Sequence, residues 1–455
     1  MPYHFNTPED QREMLDVIGA KELEELFAGV PDDVKFQGQL NIPQALTEIE
    51  LEQHVGALAA RNDNVSSKVC FLGGGSYDHF IPAVVDNLAS RGEFYTSYTP
   101  YQAEVSQGNL QAMFEYQSLI CQLTGMDVSN ASVYDGGTAT IEGVMMCLDA
   151  SKRKKAVLLG SVHPEYRQTV ETYFVGLGAT AVTLPCPDGV VNLDELENAI
   201  DDETGCVVVQ HPNFFGGLED VEKIAELAHA KGAFVVQAFD PISLGVLKNP
   251  GQLGADVAVA EGQCLGNPLV YGGPYLGIVC ARDKFIRRMP GRIAGETVSQ
   301  NGHRCFVLTL QTREQHIRRD KATSNICTNQ TLFALRASIY LSLMGPQGMH
   351  EVGELCAQKA HYCAQKIAEL DRFELTFNSH FFKEFVVRDL QGDVNGLIDD
   401  ASQAGFMAGV ALGTWYPDLA DCMLVAVTEK RTVSEIDQLC KVLQNANSKA
   451  EPCPA

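Results

Sequence analysis

The sequence predicts an α/β fold built on a mostly parallel sheet that helices cover on both faces. Between about residues 66 and 320, short β-rich segments alternate with amphipathic helical segments, an order typical of parallel strands joined by crossover helices. After Ile326 the pattern changes to longer helices and fewer strands, which indicates a smaller α+β region. The opening residues carry helical patterns. We therefore expect a helical arm, a large α/β domain and a small C-terminal domain.

The helical arm is predicted over residues 1–65. Thr7 followed by Pro8 has the pattern of a helix N-cap and first helical position. Further apolar periodicities run through residues 23–27 and from residue 47 to about 60. The arm is expected to pack on a partner or on the main body of the protein.

The large domain is predicted over residues 66–325, the small domain over 326–447 and a disordered tail over 448–455. In the large domain we expect helices at 104–123, 138–148, 165–174, 193–200 and 220–230, and strands at 156–159, 180–184, 206–210, 234–239, 257–260 and 277–281. In the small domain we expect helices at 330–344, 349–370, 394–404 and 433–445, and strands near 375 and at 385–387 and 423–427.

Composition narrows the class of function. The 455 residues carry a formal net charge of −24, which disfavours nucleic acid and anionic membranes as partners. No apolar run reaches the roughly 20 residues that span a bilayer, and the N-terminal residues show no secretory pattern. The 14 cysteines are scattered without a CxxC pair, so we expect reduced thiols, no metal site and a cytoplasmic protein.

The most informative segment runs from Ala255 to Gly277 and predicts a strand, a turn and a Gly-rich loop. It is similar to the setting in which pyridoxal-phosphate (PLP) enzymes hold their Schiff-base lysine. Here Gln263 and Cys264 stand at the expected position, and no lysine lies between Lys248 and Lys284. A scaffold of this type without its lysine cannot attach the cofactor covalently.

Asp135-Gly136-Gly137-Thr138 precedes a predicted helix and has the character of an anion site. Free backbone N–H groups, a hydroxyl and the positive end of the helix dipole suit a cofactor phosphate. The alternative is an ordinary Asp/Gly turn with Thr138 as the N-cap.

Asp240 and His163 are two further candidates for a cofactor site. Asp240 directly follows a predicted parallel strand, so its carboxylate should face the crevice where it would pair with a pyridinium nitrogen. The alternative is a strand-ending turn with Pro241. His163 is placed to stack on a cofactor ring, or is a histidine at a helix start.

A loop before the long helix is rich in tyrosine and other neutral polar residues. Because each buried hydroxyl must find a partner, a binding or interface surface is favoured over a buried structural loop. The candidates are Tyr95, Tyr98, Thr99, Tyr101 and Gln102.

Two other segments leave their roles open. Gly73 to His79 is expected to be a flexible turn whose triple glycine permits close backbone approach, and it lacks the GK[ST] of a phosphate-binding loop. The cationic segment 313–325 is suited either to anchoring a carboxylate or phosphate or to crossing an interface.

Taken together, the sequence resembles the P-protein of the glycine cleavage system, in particular the alpha subunit of its two-chain bacterial form. The resemblance spans essentially the whole chain. It rests on three long segments, YTSYTPYQAEVSQGNLQAMFEYQSLICQLTGMDVSNASVYDGGTA, PGQLGADVAVAEGQCLGNPLVYGGPYLG and REQHIRRDKATSNICTNQ. It implies a fold-type-I PLP-dependent transferase fold (aspartate-aminotransferase-like), with a small α+β C-terminal domain and an N-terminal helical arm.

The resemblance also implies an assembly and a reaction. Two alpha and two beta subunits form the complex, and the beta subunit carries the lysine and the PLP. The complex, glycine dehydrogenase (decarboxylating), removes CO₂ from glycine and passes the aminomethyl group to the lipoyl arm of H-protein. No catalytic residue is expected in this chain alone, and the tyrosine loop is the part expected to reach the partner's site. Two alternatives are an autonomous PLP enzyme that uses a displaced lysine and a cofactor-free scaffold without influence on the chemistry.

Overall fold

A computed structural model describes residues 6–36, 38 and 40–446 of the chain. The chain divides into two compact units, one ending at Asp63 and the other beginning at Asn64. The predicted tail 448–455 lies outside the described residues.

The N-terminal unit contains helices α1 (Pro8–Ile18) and α2 (Glu48–Ala59) and a 3₁₀ turn at Leu23–Phe27. Each α-helix begins with a capping box in which a threonine and an acidic side chain satisfy each other's backbone N–H groups. None of the residues in these three elements is buried. The exposed apolar side chains of this unit include Val17, Ile18, Phe27, Phe36, Ile42 and Ile49.

The second unit carries the remaining elements. Its helices are α3 (Ala83–Ala89), α4 (Gly92–Tyr95), α5 (Gln107–Thr124), α6 (Gly136–Ser151), α7 (Pro164–Leu177), α8 (Leu193–Ala199), α9 (Val221–Ala230), α10 (Gln315–Arg318), α11 (Thr331–Ala368), α12 (Val394–Gln403) and α13 (Val433–Asn445). Its strands are β1 (Val69–Cys70), β2 (Val128–Ser129), β3 (Lys155–Leu159), β4 (Thr180–Leu184), β5 (Thr204–His211), β6 (Phe234–Phe239), β7 (Val257–Glu261), β8 (Gly277–Ala281), β9 (Ala294–Val298), β10 (Arg304–Leu308), β11 (Phe373–Leu375), β12 (Glu384–Asp389), β13 (Phe406–Met407), β14 (Val410–Ala411) and β15 (Cys422–Ala426).

A seven-stranded sheet in the order β2-β8-β7-β6-β5-β3-β4 forms the centre of this unit. Strands β3 to β7 pair in parallel, whereas β8 runs antiparallel to both of its neighbours. The interior strands are valine-rich and buried, because helices such as α6 and α9 pack on them. The predicted α/β fold with a mostly parallel sheet is confirmed. The carboxyl ends of β6 and β7 lie side by side and hold the residues described below.

A second sheet in the order β11-β12-β15-β14 lies in the C-terminal part, where α11, α12 and α13 contribute to its core. The two helices predicted at 330–344 and 349–370 are present as the two halves of α11, which non-helical backbone at Gly345, just before Pro346, divides. The subdivision at residue 325 remains a prediction. Within the described residues, none of the helices is both long and apolar enough to cross a membrane.

Candidate functional site

Several elements meet at the carboxyl end of the parallel strands. They are the ends of β5, β6 and β7, the N-terminus of α7, the segment from Gly73 to His79, and the residues Phe382 to Glu384 that lead into β12. They surround a cavity of about 30 Å³. That volume holds about two water molecules. The sequence-predicted residues His163 and Asp240 both line this cavity.

Asp240 pairs with a lysine that the sequence did not predict. Lys383 is 1% exposed, and its Nζ donates to Asp240 Oδ2 at 2.8 Å. The ammonium also lies 3.4 Å from the centroid of the Tyr77 ring and 3.0 Å from His79 Nε2. Burial alone would lower the pKa of Lys383, but the Asp240 carboxylate, together with Cys264 and Cys356, outweighs it and the pKa stands above its ordinary value. Lys383 is therefore held as an ammonium ion at the carboxylate predicted to face a pyridinium nitrogen.

The N-terminus of α6 holds an internal carboxylate. Glu261, at the end of β7, accepts the Gly136 backbone N–H through Oε2 at 3.0 Å. Its Oε1 accepts the backbone N–H groups of Gln263 at 3.1 Å and Leu276 at 2.9 Å. Burial raises the pKa of Glu261 to about 7, against the opposing effect of these backbone donors. The predicted anion site at this helix end is therefore taken by a side chain of the protein itself.

The rest of the predicted Gly-Gly-Thr motif serves the helix end. Asp135 is the N-cap and accepts the Thr138 backbone N–H at 2.7 Å, so Thr138 is not the cap. Gly136 and Gly137 are buried and Thr138 is half-buried. A side chain at Gly136 would collide with the Tyr166 hydroxyl, so the residue must be small at this point.

His163 is fully engaged within the protein. Its ring stacks on Tyr166, with the centroids 4.5 Å apart and the planes at 18°. Nε2 lies 2.7 Å from the Gly74 carbonyl oxygen and Nδ1 accepts the Glu165 backbone N–H at 3.2 Å. Burial lowers the pKa of His163 to about 4, so the ring is neutral at pH 7. Tyr166 therefore already stacks on the ring of His163, where a cofactor ring was predicted to stack.

Gln263, one of the two residues at the expected position of a Schiff-base lysine, is a buried structural amide. Its Nε2 donates to the carbonyl oxygens of Tyr77 at 3.1 Å and Asn267 at 2.8 Å, and its Oε1 accepts the Tyr77 backbone N–H at 2.8 Å. The neighbouring Cys264 is 3% exposed, and burial raises the pKa of its thiol. Neither residue supplies a nucleophilic amine.

The segment from Gly73 to His79 is not the flexible turn that was predicted. Tyr77, Asp78 and His79 are buried, and Tyr77 donates its hydroxyl to Glu384 Oε2 at 2.9 Å. The Gly74 backbone N–H donates to Glu384 Oε1 at 2.7 Å. A side chain at Gly73 would collide with this same carboxylate and approach Ala426 Cβ at 2.6 Å. The glycines therefore permit close approach to Glu384, and burial raises the pKa of Glu384 to about 7.

His79, Glu429 and Cys356 form the one group of potential metal ligands found among the described residues. His79 Nδ1 lies 2.6 Å from Glu429 Oε2, and Cys356 Sγ lies 3.6 Å from the same oxygen. Because Lys383 donates to His79 Nε2, Nδ1 carries the ring proton and donates to Glu429. Hydrogen bonding alone accounts for this cluster.

The arrangement as a whole does not fit pyridoxal phosphate. The helix end suited to its phosphate holds Glu261, and the carboxylate suited to its ring nitrogen holds Lys383. The histidine suited to its ring face stacks on Tyr166. The sequence placed His163, Gly136 and Asp240 at one end of the sheet, and they lie there in the structure. It did not predict that Tyr166, Glu261 and Lys383 contact them.

The tyrosine loop lies at a second, larger cavity of about 500 Å³. Tyr95 and Tyr98 are 68% and 86% exposed, and Thr99 is also exposed. Tyr101 turns inward, donates its hydroxyl to Asn329 Oδ1 at 3.0 Å and carries the Arg292 guanidinium 4.9 Å from its ring centroid. These loop residues line the cavity together with the segment 327–335, whereas Gln102 is exposed and outside the lining.

The cationic segment 313–325 divides its roles in the structure. Arg313 donates to the carbonyl oxygen of Met289, and burial lowers its pKa to about 10. Glu314 is buried and pairs with Arg292, the arginine that covers Tyr101. Glu314 therefore helps to hold Arg292 against Tyr101, which lines the tyrosine cavity.

The central sheet and the small second sheet define a fold-type-I PLP-dependent transferase fold. A solved structure of a C-DES variant, with glycine covalently linked to its PLP cofactor, superposes with a TM-score of 0.62 over 84% of this chain and 98% of that one. Its 14% identity establishes the fold alone.

Closer relatives identify the family. Residues 3–443 match the family of the glycine cleavage system P-protein. The probable glycine dehydrogenase (decarboxylating) subunit 1 of Carboxydothermus hydrogenoformans is 49% identical over 97% of this chain and 99% of its own length. A crystal structure of glycine decarboxylase (P-protein) in inhibitor-bound form is 42% identical, with a TM-score of 0.90 over 98% of this chain and 100% of that one. The chain belongs to the glycine cleavage system P-protein family.

Proposed function

We propose that this chain is the PLP-free alpha subunit of a two-chain glycine decarboxylase. It pairs with a beta subunit that carries PLP, in an α₂β₂ complex that decarboxylates glycine and transfers the aminomethyl group to the lipoyl arm of H-protein. The observation that carries the proposal is the full-length similarity to glycine dehydrogenase subunit 1 in a chain that has no lysine between Lys248 and Lys284. The free thiols of the 13 described cysteines favour the cytoplasm as its location.

The N-terminal unit supports the proposal of a permanent partner. Its described helices bury none of their residues, and apolar side chains such as Val17, Ile42 and Ile49 are 70% exposed or more. A patch of this kind is uncommon on a monomer in water and typical of a surface that a partner covers. We propose the beta subunit as that partner, because the relatives are themselves named as one subunit of an enzyme.

The tyrosine cavity is the part of this chain that we propose forms a wall of the partner's active site. It has the size of a small-molecule site, whereas the cavity at Asp240 does not. Exposed Tyr95 and Tyr98 offer rigid rings with a hydroxyl at the tip, which suit a pocket that excludes water yet keeps a polar contact. Arg292 lies against the ring of Tyr101 and is paired with Glu314, so it holds Tyr101 in this wall.

The proposal is tested by expressing this chain with and without the adjacent PLP-bearing homologue. The lone chain should show no exchange of glycine carboxyl with bicarbonate, whereas the copurified pair should show exchange that depends on lipoylated H-protein. The N-terminal unit should also make the lone chain self-associate in light scattering. An active, monomeric lone chain would mean that it is an autonomous enzyme.

The tyrosine wall gives a separate prediction for the assembled pair. If Tyr98 or Tyr101 hydrogen-bonds glycine or the lipoyl arm in the transition state, its change to Phe should lower kcat/KM by roughly ten- to a hundredfold. Steady-state kinetics of Tyr98→Phe and Tyr101→Phe measure this loss. Tyr173→Phe is the control, because Tyr173 is also partly exposed but lies on α7, outside the lining of the tyrosine cavity.

Alanine variants separate catalysis from assembly. Tyr98→Ala should weaken the pair in size-exclusion chromatography if the ring also packs against the partner. Wild-type kcat/KM in both Phe variants, together with weaker assembly of the Ala variants, would contradict the catalytic role and leave the loop as interface packing alone.

A further inference from the structure

We propose that Lys383, Glu261 and Tyr166 are built-in substitutes for the cofactor, each occupying the contact that one part of pyridoxal phosphate would make. The pocket of the fold is thereby closed from within and is a structural core element of this chain. The inference rests on the geometry of the pocket and does not depend on the proposed partner or reaction.

Lys383 substitutes for the protonated ring nitrogen. It is a cation with an N–H donor, and it meets Asp240 Oδ2 at 2.8 Å at the end of β6. The side chain enters from the segment before β12, where Phe382 also lines the cavity. A charge buried this deeply persists only when it is paired, and here the Asp240 carboxylate and the Tyr77 ring face supply the pairing.

Glu261 substitutes for the phosphate. A helix N-terminus favours an anion through its free N–H groups and its dipole, and the 16-residue α6 offers Gly136 N–H to this carboxylate. Two more backbone N–H groups, of Gln263 and Leu276, hold the other oxygen. The carboxylate thus meets three backbone donors, as a bound phosphate would.

Tyr166 substitutes for the pyridine ring. It lines the same cavity and lies parallel to His163, with the centroids 4.5 Å apart. With all three contacts satisfied internally, the remaining volume of about 30 Å³ accepts water and excludes an organic phosphate. The substitutes also explain why the missing lysine is not the only obstacle to cofactor binding.

The proposal is tested by removing the substitutes from the full-length chain and supplying small probes of the same shape and charge. Lys383→Ala leaves Asp240 buried without its cation, so the melting temperature should fall by roughly 5–10 °C. Millimolar n-propylammonium, which matches the deleted atoms, should restore part of the loss, whereas n-propanol and sodium chloride should not. Glu261→Ala should likewise regain stability from inorganic phosphate.

Matched controls exist in the same chain. Lys284 pairs with Asp256 at 2.7 Å, but its side chain is 55% exposed, so Lys284→Ala should lose about 2 °C or less and gain nothing from n-propylammonium. Glu435 caps α13 through Thr432 at the surface, so Glu435→Ala should gain nothing from phosphate. Equal rescue of these controls would overturn the proposal, because it would show a general salt effect.

The decisive variant combines Lys383→Ala, Glu261→Ala and Tyr166→Ala, so that all three substitutes are removed, and it is probed with 4′-deoxypyridoxine 5′-phosphate. This compound keeps the ring nitrogen and the phosphate but has no aldehyde with which to react with lysines. The triple variant should bind it saturably and about tenfold or more tighter than phosphate alone, while the wild-type chain should not bind it. Saturable binding to the wild-type chain, or no binding to a folded triple variant, would overturn the proposal.

If the triple variant does not fold, removal of the charge without creation of a cavity provides the test. Lys383→Met should lower the melting temperature, and adding Asp240→Asn should recover most of that loss, because the unpaired carboxylate is then gone. No recovery would show that Lys383 is not held in place by Asp240, and the proposal would fail. All of these readouts are stability and binding, so they are independent of glycine turnover.

Discussion

Gln263→Lys is expected to leave this chain without glycine exchange activity and to destabilise it by about 3 kcal/mol or more. Gln263 is 2% exposed and makes three hydrogen bonds, two of them to the backbone of Tyr77. A lysine cannot accept the Tyr77 N–H. It also places a positive charge where the side chain of residue 263 contacts only backbone groups and no carboxylate. Chemical denaturation and the exchange assay on the purified variant measure the two effects.

The variant Gln263→Met is the matched control for that result. It has similar length and no charge, so it isolates the lost hydrogen bonds from the buried ammonium. We expect Gln263→Met to lose less stability than Gln263→Lys, and both to show no exchange. A Gln263→Lys chain that turned yellow with PLP and exchanged glycine carboxyl would show that only the lysine was lacking. That result would contradict the proposal that Glu261 and Lys383 occupy the cofactor's contacts.

Gly216→Ala is expected to destabilise the chain by at least about 3 kcal/mol. Gly216 has φ 85°, and a Cβ there would collide with the backbone carbonyl of Glu384. Backbone atoms cannot rotate away as a side chain does, so the Lys383–Glu384 segment would have to move. The displacement should also disturb the pairing of Lys383 with Asp240.

Gly392→Ala provides the comparison for Gly216→Ala. Its φ of 76° is similar, but a Cβ would meet no atom within 4 Å. It should therefore cost only the left-handed backbone penalty of about 1 kcal/mol. The free energies of unfolding of the two variants, measured in denaturant, separate the cost of the collision with Glu384 from the cost of the left-handed backbone. Equal losses in the two variants would mean that Glu384 does not press on Gly216.

The fold was predictable where strands are continuous apolar runs between turns. The strands at 234–239 and 277–281 have the predicted bounds, since both of their faces are covered and the pattern is unambiguous. The strand at 180–184 also has the predicted bounds, although it lies at the edge of the sheet and none of its residues is buried. The hairpin of β9 and β10 was missed, because β9 is largely exposed and lacks an apolar run. Asn301-Gly302 between the two strands was a usable turn signal.

The site was predictable only as far as local sequence reaches. Asp240 and His163 were located because parallel strand ends and helix starts collect at one edge of a sheet. Lys383 directly precedes a strand of the other sheet, far along the chain, and nothing in its neighbouring residues marks it as buried or paired. Glu261 is the last residue of β7, which lies next to β6 in the sheet. Its position at a strand end could have identified it as a crevice carboxylate.

The central claim is that this chain contributes to glycine decarboxylation without holding the cofactor. It is tested most directly by borohydride reduction of the copurified pair followed by mass spectrometry of each subunit. We predict one phosphopyridoxyl group per pair, attached to a lysine of the partner. On this chain we predict no specific labelling, that is, none whose amount depends on glycine or on folding. A stoichiometric phosphopyridoxyl group on any lysine of this chain would contradict the account.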